Sequence, residues 1–196
     1  QRGYQYKDIA VLYRANFQSR VVEETFAQMK IPYYIENGLN FYQRSEVRYL
    51  LDYLRLINDP DSEEGDEALR SILNVPNRYI SRKFLQELAE FSGKTNVHLF
   101  EGLKSMPVDL PYIRKNVKDF ISFISPLADY SPNLEPSEVI QMIRSQLDYD
   151  RFITDEDIPA PDDVKIQNLN QLQLSAARYS GIQPFLAYTD SFSEQM

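Results

Sequence analysis

Two short apolar runs set against about nine amphipathic helical patterns constrain this chain more than any other feature. The runs are Ile9-Ala-Val-Leu12 and Ile31-Pro-Tyr-Tyr-Ile35. Each reads as a short strand buried on both faces, as in a parallel sheet. Two strands alone make a poor sheet. The expected fold class is therefore α/β but predominantly helical: a partial parallel sheet whose remaining strands lie outside this chain, followed by an all-α segment.

The first run leads into Tyr13-Arg14, a turn at Ala15-Asn16, and a helical pattern over residues 17–29. Its apolar positions are Val21, Val22, Phe26 and Met29. Strand, loop and helix make half of a βαβ unit. In open α/β sheets ligands gather at the carboxyl ends of strands, where Tyr13 and Arg14 fall. A ring can stack on a base and a guanidinium can fork onto phosphate oxygens. Spacing leaves a plainer alternative open, with Tyr13 packed on the next helix and Arg14 paired to a carboxylate.

Asn37-Gly38 marks a turn. Residues 45–57 form the clearest helical pattern, with Ser45 as cap and Val47, Leu50, Leu51, Leu54 and Ile57 as one stripe. Residues 61–65 read as an acidic loop, and 66–73 as a short helix stopped by Pro76. Ser81 caps a pattern running to Phe91, which Ser92-Gly93 closes. After a short helix at 97–103 comes a Pro-bearing break at 105–111, where a domain boundary is expected. Helical patterns follow over 112–129, from 136, over 164–179 and over 183–192. Residues 155–163, acidic with Pro159 and Pro161, read as a mobile loop.

Composition excludes several classes. The chain has no Cys and a single His, His98, so neither a Cys-ligated metal nor a His-rich site is available. Asp155, Glu156 and Asp157 lack the ligand spacing of a calcium loop, and no metal site is expected. No apolar run approaches a membrane span. The formal charge of −8 argues against a freestanding nucleic-acid binder, although local basic runs remain. The start, Gln1-Arg-Gly-Tyr, lacks an initiator Met and reads as an excised piece of a longer protein.

The order of motifs resembles superfamily 1 DNA helicases of the UvrD, PcrA and Rep type. The match begins with Asp8-Ile-Ala-Val-Leu-Tyr-Arg14, Asn16 and Gln18-Ser-Arg20. It continues through Ile31-Pro-Tyr33 with Gly38, Phe41-Tyr-Gln-Arg44 with Glu46-Val47, Leu54-Arg-Leu-Ile57, and Asn74-Val-Pro-Asn-Arg78. Gln167-Asn-Leu-Asn-Gln-Leu172 with Ala176-Ala177 is a weaker late match. The resemblance implies that residues 1–108 begin the second RecA-like motor domain and that 109–196 are its inserted helical subdomain. The family's phosphate loop belongs to its first motor domain, and no Gly-x-x-x-x-Gly-Lys-Ser/Thr string occurs here.

By the same resemblance Tyr13 stacks on adenine and Arg14, the candidate catalytic residue, reaches the γ-phosphate as an arginine finger. Arg44 and Glu46 either couple the nucleotide cleft to the DNA track or form an ion pair that fixes the start of a helix. Arg78, Arg82 and Lys83 are candidate DNA contacts ahead of a helix N-terminus. Relatives often carry Gly-Ile-Gly where this chain has Tyr79-Ile80-Ser81. The residues Tyr112, Arg114, Lys115 and Lys118 form a second basic patch, more simply read as a solvated face. The intact protein is expected to use ATP with Mg2+, to translocate 3′ to 5′ on single-stranded DNA, and to work in the bacterial cytoplasm at the nucleoid. Its expected partners are single-stranded and junction DNA and the first motor domain in cis, with no membrane. No cofactor is expected on this chain alone, and no ATP turnover. Two other readings stand beside this one: a non-enzymatic helical interaction module, and the helicase portion of a helicase–nuclease.

Overall fold

The computed structural model describes residues 3–35 and 40–191, without the side chain of Asn16. Ten α-helices and four 3-10 turns account for the regular structure among them. The first helix is α1 (Ser19–Gln28). After it come α2 (Ser45–Asn58), α3 (Glu63–Ile72), α4 (Arg82–Thr95) and α5 (Leu99–Ser105). The rest are α6 (Pro111–Asp129), α7 (Pro136–Gln146), α8 (Tyr149–Thr154), α9 (Val164–Ala176) and α10 (Ile182–Asp190).

Helix α2 is the axis. Leu50, Leu51, Tyr53, Leu54, Leu56 and Ile57 are all buried, which covers well over half of its circumference. A helix with so wide an apolar face needs several neighbours. Here α3, α6, α7, α9 and α10 supply them. Helices on both sides of residue 108 thus share one core around α2. The polar edge of α2 is fastened at Arg55, which reaches Asp52, Glu64 and Asp190 at 2.9, 3.0 and 2.5 Å.

The expected parallel sheet is not formed. Residues 9–13 and 31–35 carry no regular structure, and no strand occurs among the described residues. Ile9 and Val11 are exposed, and Leu12 is 94 % exposed. A strand needs a neighbour to accept its ladder hydrogen bonds. No described segment runs alongside either run, so both stay unpaired. The Asn37-Gly38 turn and the end of the last expected helix at Phe192 lie outside the described residues.

Several helix boundaries shift for local reasons. Arg44, not Ser45, caps α2. The acidic residues 61–65 are not a loop. Ser62 accepts a hydrogen bond from the Gly65 amide, and Glu63, Glu64 and Asp66 fill the first turn of α3, where the helix dipole favours anions. Helix α4 passes through Gly93 and ends at Asn96, which takes the left-handed conformation that asparagine tolerates. Ser81 caps α4, as the sequence predicts. The short α8 has no counterpart in the sequence reading.

Helix α1 faces opposite to expectation. Its buried residues are Ser19, Arg20, Glu23, Glu24 and Ala27, while Val21 and Met29 are exposed. The polar face meets the helical body because that body offers polar partners, described next.

Candidate nucleotide face and nucleic-acid interface

Tyr13 and Arg14 lie side by side where the extended segment 9–13 turns toward α1. The turn is closed by Gln18, whose Oε1 accepts from the backbone amides of Arg14 and Ala15, both at 3.0 Å. Both side chains reach solvent, and Arg14 makes no side-chain hydrogen bond or ion pair among the described residues. Neither residue is sealed in the core. Together they offer an aromatic ring and an uncommitted guanidinium on an open surface.

Arg44 and Glu46 flank the start of α2 and converge on one amide. Asn168 Oδ1 accepts from Arg44 Nη1 at 3.1 Å, and Asn168 Nδ2 donates to Glu46 Oε1 at 2.7 Å. Arg44 Nη2 also donates to Ser19 Oγ at 3.0 Å, and its guanidinium lies over the Phe41 ring. The Glu46 carbonyl accepts from the Tyr149 hydroxyl at 2.7 Å. This pair therefore joins α1, α2, α8 and α9.

The seam between α1 and the body extends the network. Arg20 pairs with Glu24 at 2.7 Å, both buried, and donates to Gln171 Oε1 at 3.2 Å. Glu24 accepts from the Tyr42 hydroxyl at 2.8 Å, and Glu23 accepts from the Phe41 amide at 3.1 Å. Burial raises the Glu23 carboxyl above its ordinary range, opposed by the Phe41 amide, Ser19 and Arg44. Burial also raises Tyr42, reinforced by the charge of Glu24. The sequence reading missed Glu23, Glu24 and Asn168. The signal was present in the helical spacing of Ser19, Glu23 and Ala27, which is as regular as that of the apolar side.

The loop 74–81 ahead of α4 is held rigidly. Asn74 Oδ1 accepts from the amides of Arg78 (2.8 Å) and Ile80 (3.1 Å), and Asn77 Oδ1 accepts from Tyr79 N–H at 2.9 Å. Arg78 is the loop's internal tie. Its Nη1 donates to the carbonyls of Ile72, Leu73 and Pro76 at 3.1, 3.1 and 3.2 Å. Its Nη2 donates to the Tyr53 hydroxyl at 2.7 Å, and the guanidinium lies 4.8 Å from the Phe120 ring centre. Arg78 thus spends Nη1 and a bond from Nη2 on its own loop and on Tyr53 rather than on the surface. Arg82 is exposed and makes no ion pair among the described residues. Lys83 is exposed and lies 3.6 Å from Glu87. Lys115, on the second basic patch, pairs with Asp119 at 3.3 Å on an exposed face. His98 holds Asp66 at 3.1 Å at the start of α5. Among the described residues there is no group of three or more His, Cys, Asp or Glu able to hold a metal, and no helix long and apolar enough to cross a membrane.

Comparison with known proteins gives this surface its context. The family model described as UvrD-like helicase C-terminal domain matches residues 1–192. The ATP-dependent DNA helicase Rep of Escherichia coli K12 is 33 % identical over 172 residues, covering 86 % of this chain and 25 % of that protein. The Rep helicase of Buchnera aphidicola from Schizaphis graminum is 37 % identical over 155 residues, covering 76 % of this chain and 23 % of its own. The ATP-dependent DNA helicase PcrA of Staphylococcus epidermidis is 34 % identical over 173 residues, 86 % of this chain and 23 % of that one. The chain thus spans about a quarter of the length of the curated relatives it matches. With a match along nearly its whole length, the chain belongs to the UvrD-like helicase C-terminal domain family.

Proposed function

We propose that this chain is the part of an ATP-dependent DNA helicase that supplies the second lobe's half of the ATP site together with a helical subdomain. The observation that carries the reading is the pairing of a family match over residues 1–192 with an outward-facing Tyr13 and Arg14. Tyr13 offers a face for adenine. Arg14 offers a cation for the γ-phosphate, where it stabilises the charge that develops as the phosphoryl group transfers. The ATP carries Mg2+, which keeps most of its waters and is held largely through the nucleotide's own phosphates. The phosphate loop comes from the first motor domain in cis.

The exposed apolar residues Leu12, Val21 and Met29 are the surface on which the remaining motor-domain strands pack. Residues 9–13 and 31–35 become sheet strands in that setting. The packing of α6, α7, α9 and α10 on α2 supports a helical subdomain that begins near Asn40, earlier than residue 109. Arg82 and Lys83 contact DNA phosphates while Arg78 shapes the loop that carries them. The intact protein moves 3′ to 5′ on single-stranded DNA in the bacterial cytoplasm.

The test uses the helicase that carries this chain together with its phosphate-loop domain. Arg14→Ala lowers DNA-stimulated ATP turnover about a thousandfold or more, with thermal stability unchanged. Unchanged turnover overturns the assignment. The 196-residue chain alone shows no turnover. Unwinding of duplexes with a 3′ tail but not a 5′ tail checks the direction.

A further inference from the structure

Tyr79 is a bulky residue in the left-handed region, with φ of 59°, where glycine is the ordinary occupant. Its side chain is 72 % exposed, so burial of the ring offsets none of that conformational cost. The loop nevertheless holds it, through Asn74, Asn77 and the inward guanidinium of Arg78. A second ring, Tyr112 near the start of α6, is 56 % exposed and lines the same cleft of about 540 Å³. Asn116, one turn further along α6, donates to the Arg78 carbonyl at 2.8 Å and ties that helix to the loop. Two exposed rings are therefore carried by two mutually fastened, rigid elements.

The charges around the cleft discriminate between occupants. Glu87, Glu90 and Asp109 line it alongside Lys83 and Lys94. A lining of both signs suits a flat, uncharged group inside and keeps a phosphate out. The adjoining surface carries Arg82, which has no ion-pair partner among the described residues, and Lys115, one turn along α6 from Tyr112. An uncharged ring joined to phosphates that lie outside is what an unpaired nucleotide offers. Base–aromatic stacking needs no particular base, because every base has a π-face.

We propose that Tyr79 and Tyr112 form a stacking site for an unpaired nucleobase, with Arg82 on the flanking phosphates. The proposal rests on the DNA-contact reading above and adds a ring-stacking site to it. Its test titrates the protein into single strands and tailed duplexes carrying 2-aminopurine at successive positions, reading fluorescence and affinity together. Binding changes the fluorescence at one or two positions. Tyr79→Gly, which suits the left-handed backbone and preserves the fold, removes that change and weakens binding between about fivefold and a hundredfold. Tyr112→Ala does the same, and Tyr79→Phe retains both signals. If Arg82→Ala weakens binding while Tyr79→Gly leaves affinity and fluorescence untouched, the DNA reading stands and stacking is overturned, which leaves the rings to a protein partner. If the unaltered protein binds no DNA at low salt, both readings fall.

Discussion

Asn168 serves two charged side chains at once, accepting from Arg44 and donating to buried Glu46. Removing it leaves a buried carboxylate short of a donor, which costs more than the loss of an average hydrogen bond. Asn168→Ala is expected to lower stability by about 2 kcal/mol, read from the denaturant midpoint. Glu23 gives a pH dependence of known sign. Its native pKa is raised above the ordinary 4.5, so the folded state holds the proton more tightly than the unfolded chain. Stability therefore falls as pH rises from 4.5 through the raised native value. Glu23→Gln removes that slope in melts taken across pH, and an unchanged slope contradicts the assignment.

At the scale of elements, α4 and α5 pack closely at one point. A Cβ on Gly102 would lie 2.0 Å from Ser92 Oγ, which is buried without a hydrogen-bond partner among the described residues. Gly102→Ala is expected to cost about 1–3 kcal/mol by overpacking. Ser92→Ala alone is neutral or mildly stabilising, since it removes an unsatisfied hydroxyl. The double variant loses less than Gly102→Ala does alone, a coupling that a double-mutant cycle measures. How much of these elements the sequence discloses depends on where their partners lie. The stripe of α2 and the Ser81 cap of α4 are local patterns and are legible at once. The orientation of α1 is not. Two faces of that helix are equally regular, and the choice between them is made by Phe41, Tyr42 and α9, far along the chain. The two apolar runs failed as strands for a related reason: pairing is a property of neighbours, and no described segment is one. Tyr13 and Arg14 share a surface because they are adjacent in sequence, whereas the inward turn of Arg78 depends on carbonyls that only the folded loop brings together.

The whole molecule is a bundle around α2 with a polar-faced helix laid against it. Amide exchange should follow that plan. Amides of α2 exchange at the rate of global unfolding, while those of residues 9–13, which make no ladder, exchange freely in this chain. In the helicase that carries it, residues 9–13 gain protection as sheet partners form, and a lack of change there contradicts the proposed motor lobe. The seam that seats α1 has a further consequence for synthesis. Arg20 and its partner Gln171 stand 151 residues apart, so during translation α1 is made long before the side chain that anchors it. At ordinary elongation rates that interval is about eight to thirty seconds. Glu23 and Glu24 can meet Phe41 and Tyr42 early, so through that interval α1 is held on one side only, and the tie from Arg20 to α9 closes last.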